Sequence, residues 1–318
     1  MTPSCSPLPH ALPLSTDASR FGLRRLVVPT RIGDVVVHAR AGTDGPPTIL
    51  LHGAAGSWTT WTPLLTASTL QSREAVLADV IALDLPGWGE SGDAARVNSV
   101  EELSDAVVEV ARALGHTEWR IVGHSLGGLL ALATAARHSG PTLGVTLVSA
   151  SGAGVVDAAR RPVRGGLRLP GFAGMLLAMR ALAVLGDAGP IVVRLLGRLV
   201  GMPVLTSPLF AGRVHPSVIA AFADEVRPAA FARAARLAAG YDLGTWQDIA
   251  CPVRSVRGAR DVFAGAMDAA AFAGLIADFR EVTLPDAGHF AHIERPDAVL
   301  LSVEEVADRV RTGGTTRS

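Results

Sequence analysis

Short apolar runs recur along the first half of the chain and again near its end, with helically spaced apolar positions between them. Leu23–Val28, Asp34–Ala39 and Thr48–His52 read as strands, separated by turn residues at Gly33 and at Gly42-Thr43-Asp44-Gly45. The third run is continuously apolar, the pattern of a strand covered on both faces. Val76–Asp84 repeats it and stops at Pro86-Gly87. Ser99-Val-Glu-Glu102 has the form of a capping box, so a helix is expected from there to Leu114, with Gly115 as its stop. Trp119–Val122 is a further strand that runs into a small-residue helix, Leu129–Arg137. Strands follow at Leu143–Ser149, Val253–Arg257 and Arg280–Leu284, and a last helix runs from Pro296 to about Arg311. Pro296 suits its first turn, where no backbone amide is needed.

Strands alternating with helices imply an α/β fold: a mostly parallel, doubly wound sheet with helices on both faces. One segment breaks the alternation. Residues from Gly152 to Gly240 give no buried strand, only helical apolar patterns punctuated by Gly and Pro. They read as a helical lid, 152–240, inserted after the sixth strand of a core formed by 21–151 and 241–318. Residues 1–20, rich in Pro and Ser, read as a flexible tail.

Composition narrows the function classes. Of the 318 residues, 49% are hydrophobic and 18% charged, which excludes a disordered chain. The formal net charge is zero, so nothing electrostatic points to nucleic acid. All 29 basic residues are arginine, and the absence of lysine excludes Schiff-base chemistry. Cys5 and Cys251 form neither a disulfide framework nor a metal-ligand spacing. No basic region precedes a long apolar run at the N-terminus, as a secretory signal requires. The greasy stretch Leu169–Leu185 is broken by Gly171, Gly174 and Arg180, too short for a membrane span. A cytoplasmic protein without stable membrane insertion is expected, as a monomer or homodimer acting on a small molecule.

Gly123-His124-Ser125-Leu126-Gly127 lies where a strand meets a helix. A serine there sits on a sharp strand-to-helix turn with its hydroxyl raised above the sheet, and flanking glycines relieve the crowding. A serine hydroxyl is a weak nucleophile and needs a base, with a third group to hold that base. His289, in Pro285-Asp-Ala-Gly-His-Phe290, is the candidate base, and Asp261, in Gly258-Ala-Arg-Asp261, is the candidate orienting acid. Both follow strand C-termini, where an open α/β sheet gathers its site. His52-Gly53-Ala54-Ala55-Gly56 follows the third strand, and the amides of Ala54 and Leu126 are the expected oxyanion donors.

Other groups compete. His124 is expected to pack or hydrogen-bond behind the turn, His292 to be structural, and Asp84 to tie down the loop Pro86–Gly92. Asp157 is the rival acid, set aside because it lies well downstream of the sixth strand. Asp286 is too close to His289 in sequence to reach its ring easily.

Taken together, these pieces resemble the alpha/beta-hydrolase superfamily, specifically its capped branch of small-molecule serine hydrolases. They are His52-Gly53, Asp84-Leu-Pro-Gly-Trp-Gly-Glu-Ser91, the serine turn, Gly258–Asp261, and Gly288-His289 with Glu294-Arg-Pro296. The resemblance implies a Ser125–His289–Asp261 mechanism with no cofactor and no metal. Epoxide hydrolases and haloalkane dehalogenases of this fold use an aspartate where this chain has Ser125. Lid tyrosines are missing too, since Tyr241 is the sole tyrosine. Hydrolysis of a carboxylic ester, lactone or thioester leads. A carbon–carbon hydrolase, or a receptor that keeps the triad, is the alternative.

Substrate choice is expected from the lid, where Phe172, Met175, Leu176, Met179 and Leu182 offer an apolar surface. Over residues 157–198 its arginines 160, 161, 164, 168, 180, 194 and 198 face only Asp157 and Asp187. They read either as solvated helix faces or as an electropositive surface for a carboxylate, a phosphate, an acyl carrier or an anionic membrane.

Overall fold

The computed structural model describes residues 12–41, 45–93 and 95–314. Cys5 and part of the turn Gly42–Gly45 lie outside the described residues. The strands are β1 (Arg24–Thr30), β2 (Gly33–Arg40), β3 (Thr48–Leu51), β4 (Val80–Leu83), β5 (Trp119–His124), β6 (Thr142–Val148), β7 (Val253–Gly258) and β8 (Phe279–Leu284). They form one sheet in the order β1-β2-β4-β3-β5-β6-β7-β8. β1 and β2 pair antiparallel, as do β2 and β4, and the other neighbours are parallel.

Alternate residues of the central strands feed two cores, one on each face. Ile49, Leu51, Ile121, Val145 and Leu147 pack with helices Val100–Ala113 and Leu126–Arg137. Leu50, Val122, Val148 and Val256 face the other way, toward helices Thr62–Leu70 and Pro296–Gly314. This double covering is why these strands carry no polar face. The chain passes from β3 to β4 on one side and returns to β5 on the other. The C-terminal ends of β3 and β5 therefore bound the crevice where such sheets bind ligands.

Two expectations need correction. Val76–Asp84 is a strand only over Val80–Leu83, because Glu74–Leu77 forms a 3-10 turn. The Arg40 guanidinium donates to the carbonyls of Leu77 and Ala78, taking acceptors a ladder would use. Apolarity alone does not separate a buried turn from a buried strand. The tail is packed over its described part: Leu12 and Leu14 are buried, and the Leu14 amide donates to Ser217 Oγ at 2.9 Å. Helices Thr62–Leu70 and Ala266–Leu275 were not read from the sequence.

Between β6 and β7 the described chain is helical. Its pieces include Ala153–Arg160, Pro162–Arg168, Pro170–Ala183, Ala188–Leu196, Met202–Thr206, Pro216–Glu225 and Pro228–Gly240. The longest apolar helical stretch there is Ala188–Leu209 rather than Leu169–Leu185.

Candidate active site

Ser125 stands at the end of β5 with φ +51° and ψ −115°, strained for a residue with a Cβ. The surroundings hold it there. Its amide donates to Val148 O at 3.1 Å, and its carbonyl accepts from Gly128, Leu129 and Ser151. A Cβ on Gly123 would run into the Gly127 carbonyl, and one on Gly127 into that of Leu51. Both glycines of the turn are therefore required by close backbone approach.

His289 Nε2 lies 2.9 Å from Ser125 Oγ, and His289 Nδ1 lies 3.0 Å from both carboxylate oxygens of Asp261. The three residues come from the ends of β5, β7 and β8. Asp261 Oδ1 also accepts the amides of Phe263 and Ala264. Burial pushes the Asp261 carboxyl up, but His289 and these donors outweigh it and hold the group below the ordinary carboxylate value. An ionised Asp261 fixes the ring with its Nδ1 proton toward the acid and Nε2 free to take a proton from Ser125.

The loop after β3 is pinned by His52. The Leu85 amide donates to His52 Nε2 at 2.9 Å, which leaves Nδ1–H to donate to Gly53 O at 2.7 Å. Burial drives the His52 pKa down to about 4, so the ring stays neutral. Trp88 Nε1 donates to Ala54 O at 3.0 Å, and Ala54 and Leu126 both line the cavity beside Ser125. The Ser125 amide is spent on Val148, whereas among the described residues neither the Ala54 nor the Leu126 amide donates within a loop or turn. Asp84 ties down the neighbouring loop, accepting from the amides of Trp58 at 2.8 Å and Glu90 at 2.9 Å.

The competing groups are engaged elsewhere. Asp157 lies 3.5 Å from Arg161 and 3.7 Å from Arg168, and Asp286 takes both oxygens to Arg295 at 2.8 Å. His124 Nε2 donates to the His289 carbonyl at 2.9 Å, behind the turn. His292 is fully buried against Trp61 and His124, with ring centroids 4.6 and 4.5 Å away. Tyr241 is buried, its hydroxyl 2.8 Å from Thr245 Oγ1 and away from the cavity. Burial pushes the Cys251 thiol up to about 12.

A cavity of about 300 Å³ opens above Ser125 and His289. Phe172, Met175, Ala178, Met179 and Leu182 of helix Pro170–Ala183 line it, one face at helical spacing. Leu176 does not line it, contrary to expectation. It is buried one layer back, packed with Ala158 and with Phe172, Val155 and Ala235, which do line the cavity. Opposite walls come from Leu209, Phe222, Phe231 and Phe263.

Two anchors were missed in the sequence. The His289 amide donates to the Leu209 carbonyl at 2.8 Å, so the helical segment itself holds His289. Glu294 accepts from the amides of Gly288 and Ala211, both at 2.7 Å, and binds the histidine loop to the same segment. Gly288-His289 and Glu294 are visible as a motif in the sequence, but their partners across the fold carry no such mark.

The chain matches the alpha/beta hydrolase family over residues 48–300. It is 33% identical over 115 residues to the dihydrolipoyllysine-residue acetyltransferase component of the acetoin cleaving system of Pseudomonas putida, covering 36% of this chain and 29% of that one. An uncharacterized protein of Mycobacterium tuberculosis (strain ATCC 25618 / H37Rv) is 29% identical over 236 residues, 70% of this chain and 64% of the relative. The chain thus spans less than two thirds of the length of these curated relatives. Among solved structures it is similar in fold to a thermophilic esterase from Thermogutta terrifontis. That likeness has a TM-score of 0.66 at 23% identity, over 90% of this chain and 99% of that one.

Proposed function

The chain belongs to the alpha/beta hydrolase family, and we propose that it is a serine hydrolase cleaving a carboxylic ester of a small, largely apolar substrate. The observation that carries this reading is the unbroken relay from Ser125 Oγ through His289 to Asp261 at the floor of an apolar cavity. In this reading Ser125 Oγ attacks the ester carbonyl carbon while His289 Nε2 takes its proton. Asp261 holds the ring and stabilises the imidazolium. The oxyanion of the tetrahedral intermediate points to the amides of Ala54 and Leu126, each donor worth roughly 3–4 kcal/mol. Collapse expels the alcohol, protonated from His289. A water activated by the same base then releases the acid from the acyl-enzyme.

The helices of 153–240 act as a cap that selects the acyl part. Each methylene fully buried against Phe172, Met175 and Met179 is worth about 0.8 kcal/mol, roughly fourfold in kcat/KM. Rates are therefore expected to climb with acyl length until the cavity fills, with acetates poor.

Labelling with a fluorophosphonate, in parallel with a panel of esters, lactones and thioesters, tests this. Wild type is expected to be labelled at Ser125 and to turn over longer acyl esters, and Ser125→Ala to do neither. Labelling at another serine would overturn the assignment. Binding of these esters without turnover would favour a receptor, and activity confined to carbon–carbon substrates the rival hydrolase.

A further inference from the structure

Exposed apolar bulk is concentrated on one part of the molecule. Among the described residues sixteen large apolar side chains are exposed, and twelve of them lie between Val163 and Leu205. They sit on neighbouring helical pieces, and Val163, Leu167, Val184 and Leu199 are between 74% and 86% exposed. Side chains of this kind left in water over so short a span mark an interaction surface.

The same stretch is strongly basic in a chain whose formal net charge is zero. Residues 163–205 carry Arg164, Arg168, Arg180, Arg194 and Arg198 against one acid, Asp187. Arg164, Arg180 and Arg198 are exposed and have no ion pair among the described residues. A second copy of the chain is a poor occupant, because two-fold pairing of this face sets like charges against each other. An anionic bilayer suits both features. Apolar side chains enter the acyl boundary while arginines reach the phosphates.

The face is continuous with the candidate active site. Leu196 and Leu205 are 43% and 41% exposed, and both also line the cavity, so its mouth opens among the protruding side chains. Ala188–Leu209 is long and apolar enough to cross a membrane, but it is broken into successive helical pieces and anchored in the protein. Arg194 and Arg198 sit near its middle, a π turn over Gly197–Gly201 interrupts it at a Gly201 φ of +95°, and Val193, Thr206 and Leu209 are buried in the protein.

We propose that the outer face of residues 163–205 docks on an anionic lipid bilayer and turns the cavity mouth toward it. A lipophilic ester then passes from bilayer to cavity without crossing water. That delivery rests on the hydrolase reading, but the docking does not.

Flotation of the full chain with vesicles separates the two. Binding is expected to vesicles in which roughly a third of the phosphatidylcholine is replaced by phosphatidylglycerol, to be weak on phosphatidylcholine alone, and to fall with added salt. The triple variant Arg164→Glu, Arg180→Glu, Arg198→Glu is expected to lose at least about a hundredfold in affinity, since each arginine removed is worth roughly fivefold. Circular dichroism and urea unfolding of that variant should match wild type and report an intact fold. Val184→Asp with Leu199→Asp should weaken binding to the same vesicles. Ser125→Ala should bind as wild type does, so that a failed hydrolase reading leaves the docking result standing. Equal flotation with both vesicle types, or with neither, overturns the proposal. So does a dimer in light scattering that Val184→Asp with Leu199→Asp dissolves, which would assign the face to a second copy.

Discussion

Acid should destabilise this protein, because histidines are buried uncharged around the serine turn. His52 and His292 are fully buried, and burial lowers their pKa values from 6.5 to about 4 and about 3. His124, buried between His289 and His292, is also held well below 6.5, first by burial and then by its histidine neighbours. Among the described residues neither ring nitrogen of His292 has a hydrogen-bond partner, so a proton there would be unsatisfied as well as desolvated. Each folded value lies below the unfolded one, so the unfolded chain takes up the extra protons. Stability is therefore complete above about pH 6.5 and is lost progressively as pH falls toward the folded values. At about pH 5 one such group contributes a loss of about 2 kcal/mol, so His52 and His292 together remove about 4 kcal/mol. His124 adds to this in the same direction. That is a large share of a typical 5–15 kcal/mol. Urea unfolding followed by tryptophan fluorescence, from about pH 7.5 to about pH 5, measures it, with Trp61 packed against His292 as a reporter. His292→Phe keeps an aromatic ring against Trp61 and should recover about 2 kcal/mol of the acid loss. A stability that changes by less than about 1 kcal/mol over this range would refute the picture of neutral buried rings.

Two pairs of substitutions separate roles that look alike in the sequence. Asp261→Asn should leave circular dichroism unchanged and lower kcat on a chromogenic ester by roughly 10⁴, through the wrong histidine tautomer, while Asp157→Asn leaves the rate as it was. Leu176→Ala should cost about 2–5 kcal/mol in urea unfolding and shift acyl-length preference less than Met179→Ala does, since the side chain is buried behind the lining rather than in it. Met179→Ala should move that preference toward longer acyl chains, read as kcat/KM across an ester series.

What could be read from the chain alone is what is local. The serine turn was legible because its strain demands glycine two residues to either side, and continuous apolar runs marked strands with both faces covered. The order Ser125, Asp261, His289 followed from strand ends, which the sequence marks with turn residues. What only the tertiary structure decided depends on partners far along the chain. Leu176 and Met179 have similar chemistry and lie three residues apart, yet one meets helices Ala153–Arg160 and Pro228–Gly240 and the other meets the cavity. The apolar run at Val76 became a turn because Arg40, from another strand, took its carbonyls. The Leu209 carbonyl on the His289 amide, the Leu85 amide on His52, and the exposed apolar face of 163–205 have no signature of their own. Composition states how much apolar surface a segment carries, but the solvent exposure of each side chain is set by what the rest of the chain brings against it.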